Sequence, residues 1–187
     1  ENLKQLINDV MMIPRKIANL LSDESLLNQI KSVAQQLADS ESAFYIGREV
    51  FFSIAMEASL KLKEISYIHA EALPAGELKH GPIALIDENI YTIALCPGDS
   101  LMEKMIVNVE EIMARQRKII IICDDKKVLN SFEKSDCSFV YINSEYNVFS
   151  SPVLYSIVCQ LIAYYAALYR GHNIDKPRNL AKSVTVE

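Results

Sequence analysis

The chain has 187 residues, half of them hydrophobic and 23% charged, which suits one compact globular domain with a real core and excludes intrinsic disorder, collagen and coiled coil. Nineteen Lys and Arg against twenty-four Asp and Glu leave a formal charge of −5, so the basic footprint that a phosphate backbone requires is missing and nucleic acid is not an expected partner. The longest uninterrupted apolar runs, such as Ile119 to Cys123, fall far short of the ~20 residues that cross a bilayer, and no membrane partner is expected.

The chain opens Glu1-Asn2-Leu3-Lys4, with neither an initiating Met nor a basic segment leading into an apolar one, and reads as a cut inside a longer protein. Two helical segments come first, Leu3 to Leu21, kinked or broken near Pro14, and Glu24 to Ala38, with Ser22 or Asp23 as N-cap of the second. A strand over Ala43 to Ile46 leads into a helix over Glu49 to Ile68. The next stretch, His69 to Pro82, carries Pro74, Gly76, Gly81 and many ionisable groups and fits neither helix nor strand. Ile83 to Ile86 offers a short extra strand, followed by a strand over Tyr91 to Cys96, a helix over Leu101 to Arg117, a strand over Lys118 to Cys123, a helix over Lys126 to Lys134, a strand over Ser138 to Ile142 and a helix over Pro152 to Arg170. Pro177 stops any helix in the tail from Gly171 to Glu187.

The strand segments are apolar without a period of two, as strands buried on both faces are. Their alternation with helices predicts an α/β fold, an open, doubly wound parallel sheet of four to five strands flanked by helices. Ligands of such sheets bind beyond the carboxyl ends of the strands, so the loops there are the first place to look for function. Cys96, Cys123, Cys137 and Cys159 are widely spaced singles that behave as small hydrophobes in a reducing cytoplasm. Without a C-x-x-C pair or a Cys and His cluster there is no case for a structural zinc site.

Within the helix that follows the first strand, Glu57, Lys61 and Glu64 stand at offsets of zero, four and seven and share one narrow wedge, with Ser53 at its N-terminal end. Ile54, Met56, Ala58, Leu60, Leu62 and Ile65 make much of the remaining surface apolar, which predicts a helix more buried than a surface helix and ionised groups that are paired or line a cavity. The same spacing also suits an ordinary Glu to Lys surface pair. His80, held before the Gly81-Pro82 break, is placed to show an imidazole to a cleft and move protons, or to be an exposed turn histidine. His69 and His172 have weaker surroundings, and His69-Ala70-Glu71 is not the metalloprotease spacing. In an extended tail Lys182 shares a side with Leu180, Val184 and Val186, and desolvation there lowers the amine pKa as Schiff-base formation requires; the alternative is a frayed terminus with a solvated lysine. Gly47-Arg48 has the look of an anion-binding turn, while dinucleotide and Walker-type glycine patterns are absent.

Three blocks, Leu60 to Ala72 (LKLKEISYIHAEA), Gly76 to Pro82 (GELKHGP) and Pro177 to Glu187 (PRNLAKSVTVE), closely resemble the glutamine:fructose-6-phosphate aminotransferase (isomerising) family, in the second of its two sugar isomerase (SIS) lobes. The resemblance covers the whole chain in layout. It implies a flavodoxin-like SIS domain over residues 1–170, with the helices of 3–38 leading into it, and a tail over 171–187 that carries the active-site lysine. It also implies conversion of fructose 6-phosphate and glutamine-derived ammonia to glucosamine 6-phosphate, without a cofactor or metal, in a cytoplasmic homodimer. By position, Lys182 is similar to the Schiff-base lysine, Glu64 to the base that moves a proton between two sugar carbons, and His80 to the ring-opening acid/base, with Glu57 and Lys61 supporting the site. In that family the histidine crosses a dimer interface, so His80 would serve a neighbouring chain. Ala58-Ser59 stands where the family has a smaller Gly-Ala pair. The glutaminase domain and the first SIS lobe, with its Ser and Thr-rich phosphate loop, are not in this chain, so the 187 residues alone are expected to fold, self-associate and lack synthase activity. A non-catalytic SIS module that binds a phosphosugar to regulate a partner is the alternative, although it would have no need of Glu64, His80 and Lys182 together.

Overall fold

The computed structural model describes residues 3–115 and 118–178. Five strands, β1 (Ser42–Gly47), β2 (His69–Pro74), β3 (Tyr91–Cys96), β4 (Ile119–Cys123) and β5 (Ser138–Tyr141), form one sheet in the order β2-β1-β3-β4-β5, with every neighbouring pair parallel. The helices are α1 (Leu3–Met11), α2 (Ile13–Leu21), α3 (Glu24–Ala38), α4 (Val50–Ser66), α5 (Met102–Met113), α6 (Lys126–Ser131) and α7 (Ser150–Tyr169). Two 3-10 helices, Ala75–His80 and Pro82–Leu85, connect β2 to β3. The α/β expectation holds, and the strand order is that of flavodoxin-like sheets, which reverses between β1 and β3.

Each strand sends alternate side chains to opposite faces, and both faces are roofed. Ala43, Tyr45, Ile93, Leu95, Ile120, Ile122 and Val140 pack in the layer shared with α3, α4 and α7, whereas Phe44, Ile46, Ala94, Cys96, Ile121 and Cys123 pack in the layer shared with α5 and α6. That two-sided burial is why β4 reads as an unbroken apolar run and β3 as one interrupted only by Thr92. Helix α3 lays Leu26, Ile30, Val33, Ala34 and Leu37 on the sheet, and Asp23 caps it by accepting from the Leu26 N–H at 3.0 Å. Gln29 Oε1 accepts from the Tyr141 N–H at 2.8 Å, and the Ser138 hydroxyl lies 3.0 Å from Gln36 Oε1, so α3 also covers the β5 edge.

Three features depart from expectation. His69 to Pro74 is a strand rather than an irregular loop: Ser42 to Gly47 of β1 pair with it in register, so its backbone groups on the β1 side are satisfied while His69 and Glu71 face solvent at the sheet edge. Ile83 to Ile86 does not make a strand, because Gly81 (φ 141) and Pro82 turn the chain into a 3-10 helix closed by Ala84 N–H to Gly81 O at 2.9 Å. Helix α7 is twenty residues without a single charge, long and apolar enough to cross a bilayer by length and composition, although Ser, Gln and Tyr break up its longest apolar runs. Half of it is buried against the rest of the fold, where it is the central helix beside α3 and α4. Phe51 of α4 meets its Tyr155 edge-on at 4.9 Å between ring centroids. The break near Pro14 falls at Met12, which puts the proline in the first turn of α2, where its missing N–H costs nothing.

Candidate active site

Outside the carboxyl ends of β1 and β3, where the strand order reverses, lies a cleft of about 280 Å³ lined by Arg48, Glu49, Glu77 and Lys104 among others. Its floor is rigid. A Cβ on Gly47 would stand 2.4 Å from the Phe51 carbonyl oxygen, so only glycine lets α4 begin this close to β1. Glu49, the residue before α4, holds φ 48 and ψ −122, a strained conformation for a side chain with a Cβ. The expected anion-binding role of Gly47-Arg48 meets an obstacle, since the Arg48 guanidinium already donates to Asn108 Oδ1 of α5 at 2.8 Å. Nearby, Asp124 follows β4 and accepts from the Gly98 N–H at 2.6 Å. Burial pushes its carboxyl up to about 6 against the opposing effect of that N–H. Burial likewise pushes the Cys123 thiol up to about 12, which makes it an inert core group.

The Glu57, Lys61 and Glu64 stripe is at the other end of the sheet. Helix α4 runs back against β1, and its last turn delivers the chain to the start of β2, so Glu64 sits at the foot of the strands. Lys61 Nζ donates to Glu64 Oε2 at 2.8 Å and lies 3.7 Å from Glu57 Oε1. The hydrogen bond to Glu64 holds the Lys61 ammonium pKa above its ordinary value despite some desolvation. The Glu64 side chain is 30% exposed, between a solvated surface group and a core one. The expectation of a helix more buried than a surface helix is met along one stripe of α4 and not around its whole circumference. Phe51, Ala55, Ala58, Ser59, Leu62 and Ser66 form the inward face, but Met56 and Leu60 are exposed, because one stripe suffices to roof the sheet. At the Ala58-Ser59 position the Ser59 hydroxyl donates to the Met56 carbonyl at 2.8 Å, so the extra polar atom is satisfied inside the helix.

Tyr67 ends α4 in the left-handed conformation (φ 59). Its ring meets His172, with centroids 4.6 Å apart, and the Arg178 guanidinium carbon stands 4.1 Å from its centroid. The Arg178 N–H donates to the Tyr67 hydroxyl at 2.8 Å, which ties the start of the C-terminal tail to the same end of α4 as Glu64. Lys182 lies outside the described residues. Nothing in the sequence marked Tyr67 as a clasp, since the helical pattern runs through it to Ile68.

His80 ends the first 3-10 helix, whose Ala75 and Leu78 pack in the α5 and α6 layer as the chain turns back from Pro74 toward the start of β3. It is 73% exposed, with the Glu77 carboxylate 3.8 Å away. Glu64 and His80 thus belong to opposite faces of the sheet, α4 packing in the layer with α3 and α7 and the 3-10 helix in the layer with α5 and α6. Within one chain the geometry joins Glu57, Lys61 and Glu64 and leaves His80 apart from them.

The SIS domain family matches residues 36–170. Glutamine--fructose-6-phosphate aminotransferase [isomerizing] of Rhizobium meliloti is 43% identical over 187 residues, all of this chain and 30% of that protein. The enzyme of the same name from Haemophilus influenzae is 42% identical over the same span and share. The chain therefore spans about 30% of the length of the curated relatives it matches. Among solved structures, the C-terminal domain of glucosamine-fructose-6-phosphate aminotransferase from Francisella tularensis superposes with a TM-score of 0.80 at 33% identity, covering 94% of this chain and 49% of that one. Tagatose-6-phosphate ketose/aldose isomerase from Escherichia coli, at 15% identity and a TM-score of 0.70 over 92% of this chain and 46% of that one, shares the fold.

Proposed function

The chain belongs to the SIS domain family, and from that membership we propose that it is the second isomerase lobe of a glutamine:fructose-6-phosphate aminotransferase, working with a first SIS lobe and a glutaminase domain of the same protein. Its substrate in that setting is fructose 6-phosphate, its product glucosamine 6-phosphate, and its assembly a homodimer in the cytoplasm. The 42–44% identity to enzymes of that name over the full chain supports the reading. So does the observation that carries it: a partly buried carboxylate, Glu64, fixed by Lys61 on the same end of α4 to which Tyr67 ties the tail.

In this reading Glu64 moves a proton between the two sugar carbons, a task that needs a carboxylate held in one place and out of bulk water. The Lys61 hydrogen bond to Oε2 supplies the fixed orientation. Lys182 follows Arg178 by four residues, a span of at most ~14 Å of chain, which is compatible with a lysine working beside Glu64. Its amine condenses with the open-chain ketone, releasing water and forming the imine. His80, on the opposite face of the sheet, serves ring opening in the neighbouring subunit, consistent with its separation from Glu64.

Glu64→Gln in the full-length protein tests the proposal. Glucosamine 6-phosphate formation is expected to stop while glutamine hydrolysis continues, since a proton carrier is lost at constant side-chain size. Equal loss of both activities would mean that Glu64 is structural. Borohydride trapping with fructose 6-phosphate and peptide mapping is expected to mark Lys182; label on another lysine in active enzyme contradicts the assignment.

A further inference from the structure

Resting on that reading of His80, we propose that Glu111 of α5, paired with Lys79 and backed by Asn108 and Arg48, is the positioning residue that presents the histidine. His80 has almost nothing of its own to orient it, being 73% exposed with its nearest charged partner 3.8 Å away. Its direction must come from the backbone that carries it. That backbone is a six-residue 3-10 helix, a form whose internal hydrogen bonds are poor and which needs tertiary contacts to persist.

The contacts come from two other segments. Ala75 and Leu78 are buried in the α5 and α6 layer and fix one side of the 3-10 helix. On its other side Lys79 Nζ stands 2.6 Å from Glu111 Oε1. The hydrogen bond from Lys79 holds the Glu111 carboxyl below its ordinary range. Asn108, buried one turn earlier on α5, approaches Glu111 Oε2 with its Nδ2 at 3.5 Å and accepts from Arg48 Nη1 at 2.8 Å. Arg48 in turn lies against Gly76, where a Cβ would come within 3.1 Å of Nη2. The chain Arg48, Asn108, Glu111 and Lys79 starts in the β1–α4 turn, crosses α5, and closes on the residue next to His80.

The Lys79 side chain is 65% exposed, and ion pairs of that kind contribute little to global stability. A conserved melting temperature with a lost rate is therefore the expected signature, because a small misplacement of an acid/base group lowers turnover steeply. In the full-length enzyme, Glu111→Gln and Lys79→Met should each lower kcat for glucosamine 6-phosphate formation about tenfold, with KM for fructose 6-phosphate within twofold. The double variant should be no worse than either single one, since both remove one interaction, and Lys79→Arg should recover most of the rate. The inference is overturned if Glu111→Gln keeps kcat within twofold, if the two losses multiply, or if the melting temperature falls in step with activity and Lys79→Arg does not recover it. His80→Gln is run alongside. A fully active His80→Gln enzyme removes the role of His80 itself, whereas an inactive one with normal Glu111→Gln turnover removes only the positioning role.

Discussion

The two ends of α4 solve opposite problems with the same backbone device. At each end a residue other than glycine takes a positive φ, Glu49 at 48° before the first turn and Tyr67 at 59° after the last. At the N-terminal end the kink lets the helix leave β1 over Gly47 and brings Arg48 to Asn108. At the C-terminal end it turns the chain into β2 and exposes a tyrosine that His172 and Arg178 clasp. The first end is closed by the fold's own groups; the second holds the tail. In one fold, the face roofed by α5 and α6 carries the exposed His80, and the last turn of α4 on the other face carries Glu64.

The largest expected effect tests whether the two faces belong to one working site across subunits. Full-length Glu64→Gln and His80→Gln homodimers should each be inactive, and mixed dimers of the two should regain activity, because one of the two shared sites is then intact. No recovery in verified heterodimers would place both groups in the same subunit's site, against their separation across the sheet. Gly47→Ala comes next. Its methyl would stand 2.4 Å from a backbone carbonyl that cannot swing away, so α4 must shift, at a cost of about 3 kcal/mol or more by urea denaturation. A loss below about 1 kcal/mol would show that the β1–α4 junction is softer than the contact implies.

Much of the fold was legible in the sequence because core burial writes itself as pattern. The apolar runs of β3 and β4 follow from helices on both faces, and the Asp23 cap follows from the chemistry of orphan N–H groups. What escaped was β2, whose composition is that of an exposed edge. Its strand character comes from pairing with β1, which no local property reports. The stripe of Glu57, Lys61 and Glu64 was legible from helical spacing, and the structure joins them. The separation of His80 from them was not, since spacing along the chain is silent about which face of a sheet a loop covers. Asn108, Glu111 and Tyr67 were also silent, because each acts through partners 60 or more residues away or on another element.

Asp124 gives a third, smaller effect, at the carboxyl end of the sheet alone. Its folded-state carboxyl sits near 6, above the ~3.9 of an unfolded aspartate, so the folded chain binds the proton more tightly. The resulting stabilisation is fully present below the unfolded pKa and is lost as pH rises through about 6. Asp124→Asn keeps an acceptor for the Gly98 N–H but removes the titration, and should flatten the stability profile between about pH 4 and 7. An unchanged slope in the Asn variant would assign the pH dependence to other groups.

The smallest effect distinguishes the two ends of α4 directly. Glu49→Gly should stabilise the chain by about 1 kcal/mol, since relief of ~1–3 kcal/mol of backbone strain exceeds the ~0.5–1 kcal/mol entropic cost of the glycine. For a chain of this size that is a rise in melting temperature of about 2–4 °C. Tyr67→Gly relieves a comparable positive φ, yet it also deletes the ring that packs on His172 and the hydroxyl that accepts from the Arg178 N–H. Those contacts outweigh the strain, and Tyr67→Gly should destabilise. Opposite signs from the same substitution at 48° and 59° would show that the strain at Glu49 serves only the helix start, while that at Tyr67 is kept for the tail. If both glycines stabilise, the clasp on the tail contributes less than the backbone it strains, and the case for Tyr67 as the residue that holds the lysine-bearing segment at the Glu64 end fails.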